Sequence, residues 1–342
     1  MKMILFKRGN AMQPEKDSSA LRASRLLGTI IACACLTMPP SLAWAQDKFP
    51  SKALTIVVPF GTGSSSDTSV RLLVSKMQSR FGQPILVENR PGGGATIGPA
   101  YAAKARPDGY TIVYGSNSSI ATAPGMIKAL AYDPVRDLAG ITLIAEQHFA
   151  LLTRGEFKDL SFAQFLDRMR RNPDSFAIGG QSAVYQVLNK LLTEAAKLNH
   201  VYVPYAEAGR MLNDLWGGRL GGALLPVNLA LPTLKSGQGH IAALTSTTRM
   251  ASLPNTSTME EMFPGVNVGG WTGYFAPAKT PRPVINILYQ QITEAYRDPD
   301  ILKRSEEGGR AIFMTPDETD AFVKKEVQRW TVLLKASGIE PE

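Results

Sequence analysis

The chain has 342 residues, 44% of them hydrophobic and 19% charged, with a formal net charge of +8. It exceeds the ~100–200 residues of a single domain and can bury an ordinary core, which excludes a disordered or fibrous protein. The first 45 residues carry six basic side chains against two acidic ones, so half of the positive excess lies there. With no Lys/Arg run in the rest, the charge does not describe a nucleic-acid footprint, and no nucleic-acid partner is expected.

Arg22 and Arg25 precede the apolar run Leu26–Leu36, and a small-x-small pattern follows at Ala43 and Ala45. This is the pattern of a secretory signal over residues 1–45, with cleavage before Gln46. The competing reading, a membrane anchor, needs ~20 apolar residues. Met12 offers an alternative start. Cys33 and Cys35 are the only cysteines and both fall inside the leader. The mature chain is thus expected to be soluble in the periplasm, without disulfide, thiolate nucleophile or cysteine metal site.

Beyond the leader, Leu54–Val58 reads as a buried strand. Val70, Leu73, Val74, Met77 and Phe81 then recur at helical spacing, with Gly82 as the stop. Ile85–Glu88 follows as a strand, Thr96–Ala105 as an Ala-rich helix and Tyr110–Tyr114 as a strand. After residue 150 come helices near Phe162–Arg171 and Ala183–Lys197 and strands at Phe176–Ile178, Val201–Val203, Ala223–Leu225 and Ile241–Leu244. The tail is mostly helix: Val284–Tyr296, Pro299–Glu307 and Pro316–Ala336. Alternating β and α elements without a flexible linker imply an α/β protein of two lobes, each a parallel-rich sheet flanked by helices, with a cleft between them.

Ligands of such sheets sit beyond the carboxyl ends of the strands. Three small-residue loops occupy those positions. The first comprises Phe60, Thr62, Gly63, Ser64, Ser65, Ser66 and Asp67, with Asp67 at or near the helix N-cap. The second holds Ser116, Asn117 and Ser118; the third holds Gly180, Gln181, Ser182 and Ala183. Hydroxyls, approachable backbone and a helix N-terminus suit an anion, although any one of these loops alone could be an ordinary strand–helix turn. None matches a P-loop or a dinucleotide fingerprint. The three histidines lack zinc spacing and no Gly-x-Ser-x-Gly elbow occurs, so no metal, cofactor or catalytic residue is expected. Tyr205, Trp216, Trp271 and Tyr274 could stack on a ligand, but lone aromatics of this kind are more often core residues.

From Phe49 to Glu342 the chain resembles the periplasmic solute-binding receptors of tripartite tricarboxylate transporters, the Bug-type receptors. The shared wording comprises Val57-Val58-Pro59-Phe60 leading to Asp67, Gly82-Gln83-Pro84, Val87-Glu88-Asn89-Arg90-Pro91-Gly92, Pro107-Asp108-Gly109-Tyr110-Thr111 and Tyr132-Asp133-Pro134-Val135-Arg136-Asp137. Val203-Pro204-Tyr205, Phe275-Ala276-Pro277-Ala278-Lys279-Thr280-Pro281 and Gly338-Ile339-Glu340-Pro341-Glu342 complete it. The resemblance implies a two-lobed periplasmic-binding-protein fold, type II-like. Residues 46–147 would form lobe 1, 148–270 lobe 2, and 271–342 would return to lobe 1. It implies a monomer that captures a small organic carboxylate between Phe60–Asp67, Ser116–Ser119 and Gly179–Ala183 and hands it to membrane permease subunits. The chain departs from the family pattern at Ser64-Ser65, Thr96, Gln186 and Leu225. Leu225, standing where an acid is common, implies a ligand with a neutral or apolar body and no ammonium. A periplasmic sensor subunit presenting its ligand to a two-component system remains the alternative; an enzyme on the same scaffold is disfavoured by the missing motifs.

Overall fold

The computed structural model describes residues 49–172, 176–181, 183–205 and 207–341. The leader and its cleavage site lie outside them. Strand β1 (Leu54–Val58) leads through the first small-residue loop into α1 (Ser65–Phe81), which is followed by β2 (Ile85–Asn89), α2 (Ile97–Ala103) and β3 (Thr111–Ser116). A π-helical turn, Asn117–Thr122, runs into α3 (Ala123–Met126), and the long strand β4 (Leu138–Gln147) follows. Next come β5 (Phe149–Arg154), α4 (Phe162–Arg171), β6 (Ile178–Gly180), α5 (Ala183–Ala196), β7 (Tyr202–Pro204) and α6 (Ala208–Trp216). They are succeeded by β8 (Gly222–Pro226), α7 (Val227–Lys235), β9 (Gly239–Leu244) and the short α8 (Met259–Met262). The chain ends with β10 (Gly270–Pro277), α9 (Arg282–Tyr296), α10 (Pro299–Gly308), β11 (Gly309–Ala311) and α11 (Pro316–Ala336).

The strands form two sheets, ordered β11-β4-β10-β3-β1-β2 and β7-β6-β8-β5-β9. This is the expected two-lobed α/β architecture, but the sheets are mixed rather than parallel-rich. The parallel pairs are β1 with β2 and β3, and β6 with β7 and β8. Every antiparallel pair involves β4, β5 or β10. The sequence reading assigned no strand to any of these three. β4 and β5 abut at His148, where the chain passes from one sheet to the other, and it returns at Gly270 to begin β10.

Local signals explain the helices. Ser161 and Gln164 form a capping box at the start of α4, whose inner face buries Phe162, Phe165, Leu166 and Met169. Each such side chain contributes roughly 1.5–3 kcal/mol by leaving water. Thr315 and Glu318 cap α11 the same way, with Pro316 in its first turn. One apolar cluster covers one face of the first sheet, and another covers one face of the second. A third cluster runs from Val57 and Val113 of the first sheet through Phe149 to Leu151 and Ile178 of the second. Trp271 and Tyr274 belong to the buried core, and the Tyr205 hydroxyl donates to Asp214 at 2.7 Å.

Candidate functional site

The registers show which strand ends lie together within each sheet. Ile56 lies beside Ile112 and Val57 beside Val113, so the loops leaving parallel β1 and β3 emerge at one edge. Ser116, ending β3, lies opposite Thr272, which lies opposite Ala145 near the end of β4. Three residues after Gln147's predecessor Glu146, Phe149 pairs with Pro226 at the end of β8. β8 runs parallel to β6, so the Gly180 turn and the Pro226 turn share the facing edge of the second sheet. The carboxyl ends of both parallel strand sets thus converge on the crossing point. This is where an open α/β sheet holds a ligand.

In the first loop the N-cap is Ser64, and Asp67, expected at or near the cap, is the residue whose amide the Ser64 hydroxyl accepts at 3.2 Å. Asp67 sits three positions into the cap, and its side chain turns inward. It accepts the Gly63 amide at 2.9 Å, Arg71 Nε at 3.0 Å and Asn89 Nδ2 at 2.9 Å. Chiefly because of the Arg71 bond, its pKa falls to about 2. Asn89 Nδ2 also donates to the Phe60 carbonyl at 3.0 Å, and its Oδ1 accepts from Arg71 at 3.0 Å and Thr62 at 3.3 Å. Asp67 is 2% exposed and saturated by these donors, so its role is to shape the loop rather than to meet a solute. Sequence reasoning found no role for Arg71 or Asn89. The i,i+4 spacing of Asp67 and Arg71 on α1 was the available signal; Asn89 was marked only by its place in the shared wording Val87–Gly92, because its contacts span 22 and 29 residues.

This bracing leaves the amides of Ser65 and Ser66 at the open end of a 17-residue helix. As the first helical residues they have no partner within the ladder, and the positive end of the helix dipole lies beside them. Ser66 is half-buried and within hydrogen-bonding reach of the Tyr114 hydroxyl.

In the second loop, Ser116 Oγ lies 2.8 Å from Ser118 Oγ, and the Ser116 amide donates to Ser119 Oγ at 3.0 Å. Asn117 is buried, and neither polar atom of its side chain has a partner among the described residues. The Phe60 ring packs edge-on against Tyr114 at 6.5 Å, drawing the first two loops together.

In the second sheet, Gly180 is buried at the end of β6, and Gln181 and Ala183 are half-buried; Ser182 lies outside the described residues. A β-carbon on Gly180 would come within 2.5 Å of the Tyr202 hydroxyl and 2.7 Å of Tyr185. Only glycine fits there. Leu225 is fully buried in the apolar cluster of the second lobe. It cannot face a solute, and the inference of an apolar ligand body drawn from it falls. The turn from Pro226 to Asn228, which sequence reading passed over, reaches the shared edge instead.

Two facing sets of strand–helix turns, one carrying open amides and hydroxyls, define a two-lobed solute-binding protein. Residues 69–339 match the family described as "Tripartite tricarboxylate transporter family receptor", and the chain belongs to that family. It is 30% identical over 322 residues to a UPF0065 protein encoded in the TAR-I ttuE-ttuC' intergenic region of Agrobacterium vitis, covering 92% of each chain. Among solved structures it resembles periplasmic binding protein BugD (29% identity, TM-score 0.71, covering 86% of this chain and 100% of that one). It also resembles MatC from Rhodopseudomonas palustris with bound malate (29%, TM-score 0.67, 84% and 100%). A further R. palustris protein, solved with adipate, is similar too (26%, TM-score 0.74, 86% and 100%). No described helix of the chain is long and apolar enough to cross a membrane.

Proposed function

We propose that this chain is a non-catalytic periplasmic receptor that binds a small organic carboxylate between its lobes and delivers it to the permease subunits of a tripartite transporter. In this reading the leader is removed before Gln46 and the mature chain acts as a monomer. Residues 46–147 with 271–342 constitute one lobe and 148–270 the other. The observation that carries the reading is the pair of open amides at Ser65 and Ser66 at the start of a long helix, with Ser66 within hydrogen-bonding reach of Tyr114 on the strand that ends at Ser116. Such a site holds an anion with neutral donors and a dipole and needs no cation in either loop. Two structural relatives carry malate and adipate, both carboxylates. The second-lobe turn, Gly180–Ala183, closes on the solute from the other side by a hinge at the crossing strands.

Calorimetry of the mature protein against a panel of carboxylates, including malate and adipate, tests this. At least one acid should bind with 1:1 stoichiometry and raise the melting temperature by mass action. If no carboxylate in the panel binds, the reading fails. Turnover of a bound acid would instead assign an enzyme.

A further inference from the structure

A cavity of about 150 Å3 lies beside the first loop, between α1 and α10. Its walls follow from helical periodicity. On α10, Ile301, Arg304, Ser305 and Gly308 fall at i, i+3, i+4 and i+7 and present one face to the cavity. On α1, Ser65, Ser69 and Leu72 do the same from the opposite side. Three polar side chains that are more than nine-tenths buried, Tyr114, Thr272 and Tyr296, complete its inner surface. Asn228, at the start of α7, contributes from the helix that follows β8 of the second sheet.

Two features connect this cavity to anion binding. Ser65 and Ser66 line it while also offering the open amides of the first loop. The cavity is therefore continuous with the carboxylate site rather than a separate depression. Its charge is also unbalanced. Glu146 lines it, but that carboxylate is held by Arg310 at 3.0 Å. Arg304, the one cation in the lining, has no carboxylate within 4.0 Å among the described residues. Gly309, which follows α10 and opens β11, keeps this end of the cavity tight: a β-carbon there would come within 1.8 Å of the Glu146 carbonyl, so β11 can pair with β4 beside Glu146 only because its first residue has no side chain.

Resting on the receptor reading above, we infer that the cavity is a second subsite that receives the far end of a linear diacid, with Arg304 selecting for a charge at that end. The first carboxylate meets the Ser65 and Ser66 amides. The carbon chain runs past Leu72, Ile144 and the tyrosine rings, and the second carboxylate reaches Arg304 and Ser305. The contributions of α1 extend over two turns, about 10 Å, which accommodates a six-carbon diacid. A monoacid of equal length would fill the same apolar stretch but leave the guanidinium unused.

Calorimetry of the wild type, R304Q and R304E with adipate and hexanoate tests the assignment. Arg304 is exposed on its helix, so both variants should keep the wild-type melting temperature. Adipate affinity should fall tenfold or more in R304Q and further in R304E, while hexanoate affinity changes less than twofold in R304Q. Equal losses for the two acids, or no loss for adipate, would overturn the subsite while leaving the receptor reading intact. A wild type that binds no acid of the carboxylate panel would overturn both.

Discussion

The two lobes bring loops of opposite construction to the same edge. In the first, Asp67, Arg71 and Asn89 lock Phe60, Thr62 and Gly63 into one hydrogen-bonded frame, and the serines of the π-helical turn bond one another. In the second, the Gly180 turn is held by shape: its carbonyl accepts the Tyr205 amide at 2.9 Å, and Tyr185 and Tyr202 close around it. A frame of charge-assisted bonds keeps donors in place before the solute arrives, so binding spends little on ordering them. A turn held by packing fixes a surface rather than a set of donors. Under the proposed receptor reading, this difference would place affinity in the first lobe and closure in the second.

Removing the frame should have the largest effect. In D67A, the Gly63 amide, Arg71 and Asn89 lose their common acceptor; stability should drop by about 1–3 kcal/mol and carboxylate affinity by more than a hundredfold, read by denaturant titration and calorimetry. The same carboxyl predicts an acid response. Its pKa in the folded protein, about 2, lies below the ordinary 3.8. Its stabilisation is therefore complete above the ordinary value and is lost as the pH falls through about 2. Between pH 4 and 2 the wild type should lose stability more steeply than D67N; parallel profiles would mean that the bond to Arg71 does not hold the loop.

Deleting donors without touching the frame comes next. S66A/S118A should lower affinity about a hundredfold, at ~1.5–3 kcal/mol for each hydrogen bond to a charged group, with little change in melting temperature. Unchanged affinity would move the solute to other loops. In the second lobe the balance should reverse. G180A forces a methyl group against Tyr202 and Tyr185 and should cost about 1–3 kcal/mol of stability by overpacking, with a smaller loss of affinity than the serine pair. The smallest effect belongs to Q181A, which should weaken binding by less than tenfold; a loss matching the serine pair would show that both lobes supply donors and would erase the contrast.

Most of the longer helices and the parallel strands are legible in the sequence, because hydrophobic periodicity and caps are local: α1, α4 and α11 fall within a few residues of their expected spans, whereas α6 and α7 have no expected helix. The sequence by itself also determined which loops lie at strand–helix junctions and that their chemistry is neutral and hydroxyl-rich. Tertiary structure alone decided the rest. β10 is buried along its whole length and contains glycine and proline, so neither strand alternation nor a simple apolar run marks it; its pairing with β3 and β4 does. Asp67 read as a cap free to meet a solute, and only its contact with Asn89, 22 residues away, turned it into a brace. Leu225 read as a cleft residue because it stands where the resembling family commonly carries an acid, yet successive strand residues face opposite sides, and the second sheet's packing puts this one in the core. Local sequence specifies what each segment can offer; which face it offers, and to what, is settled by partners distant in the chain.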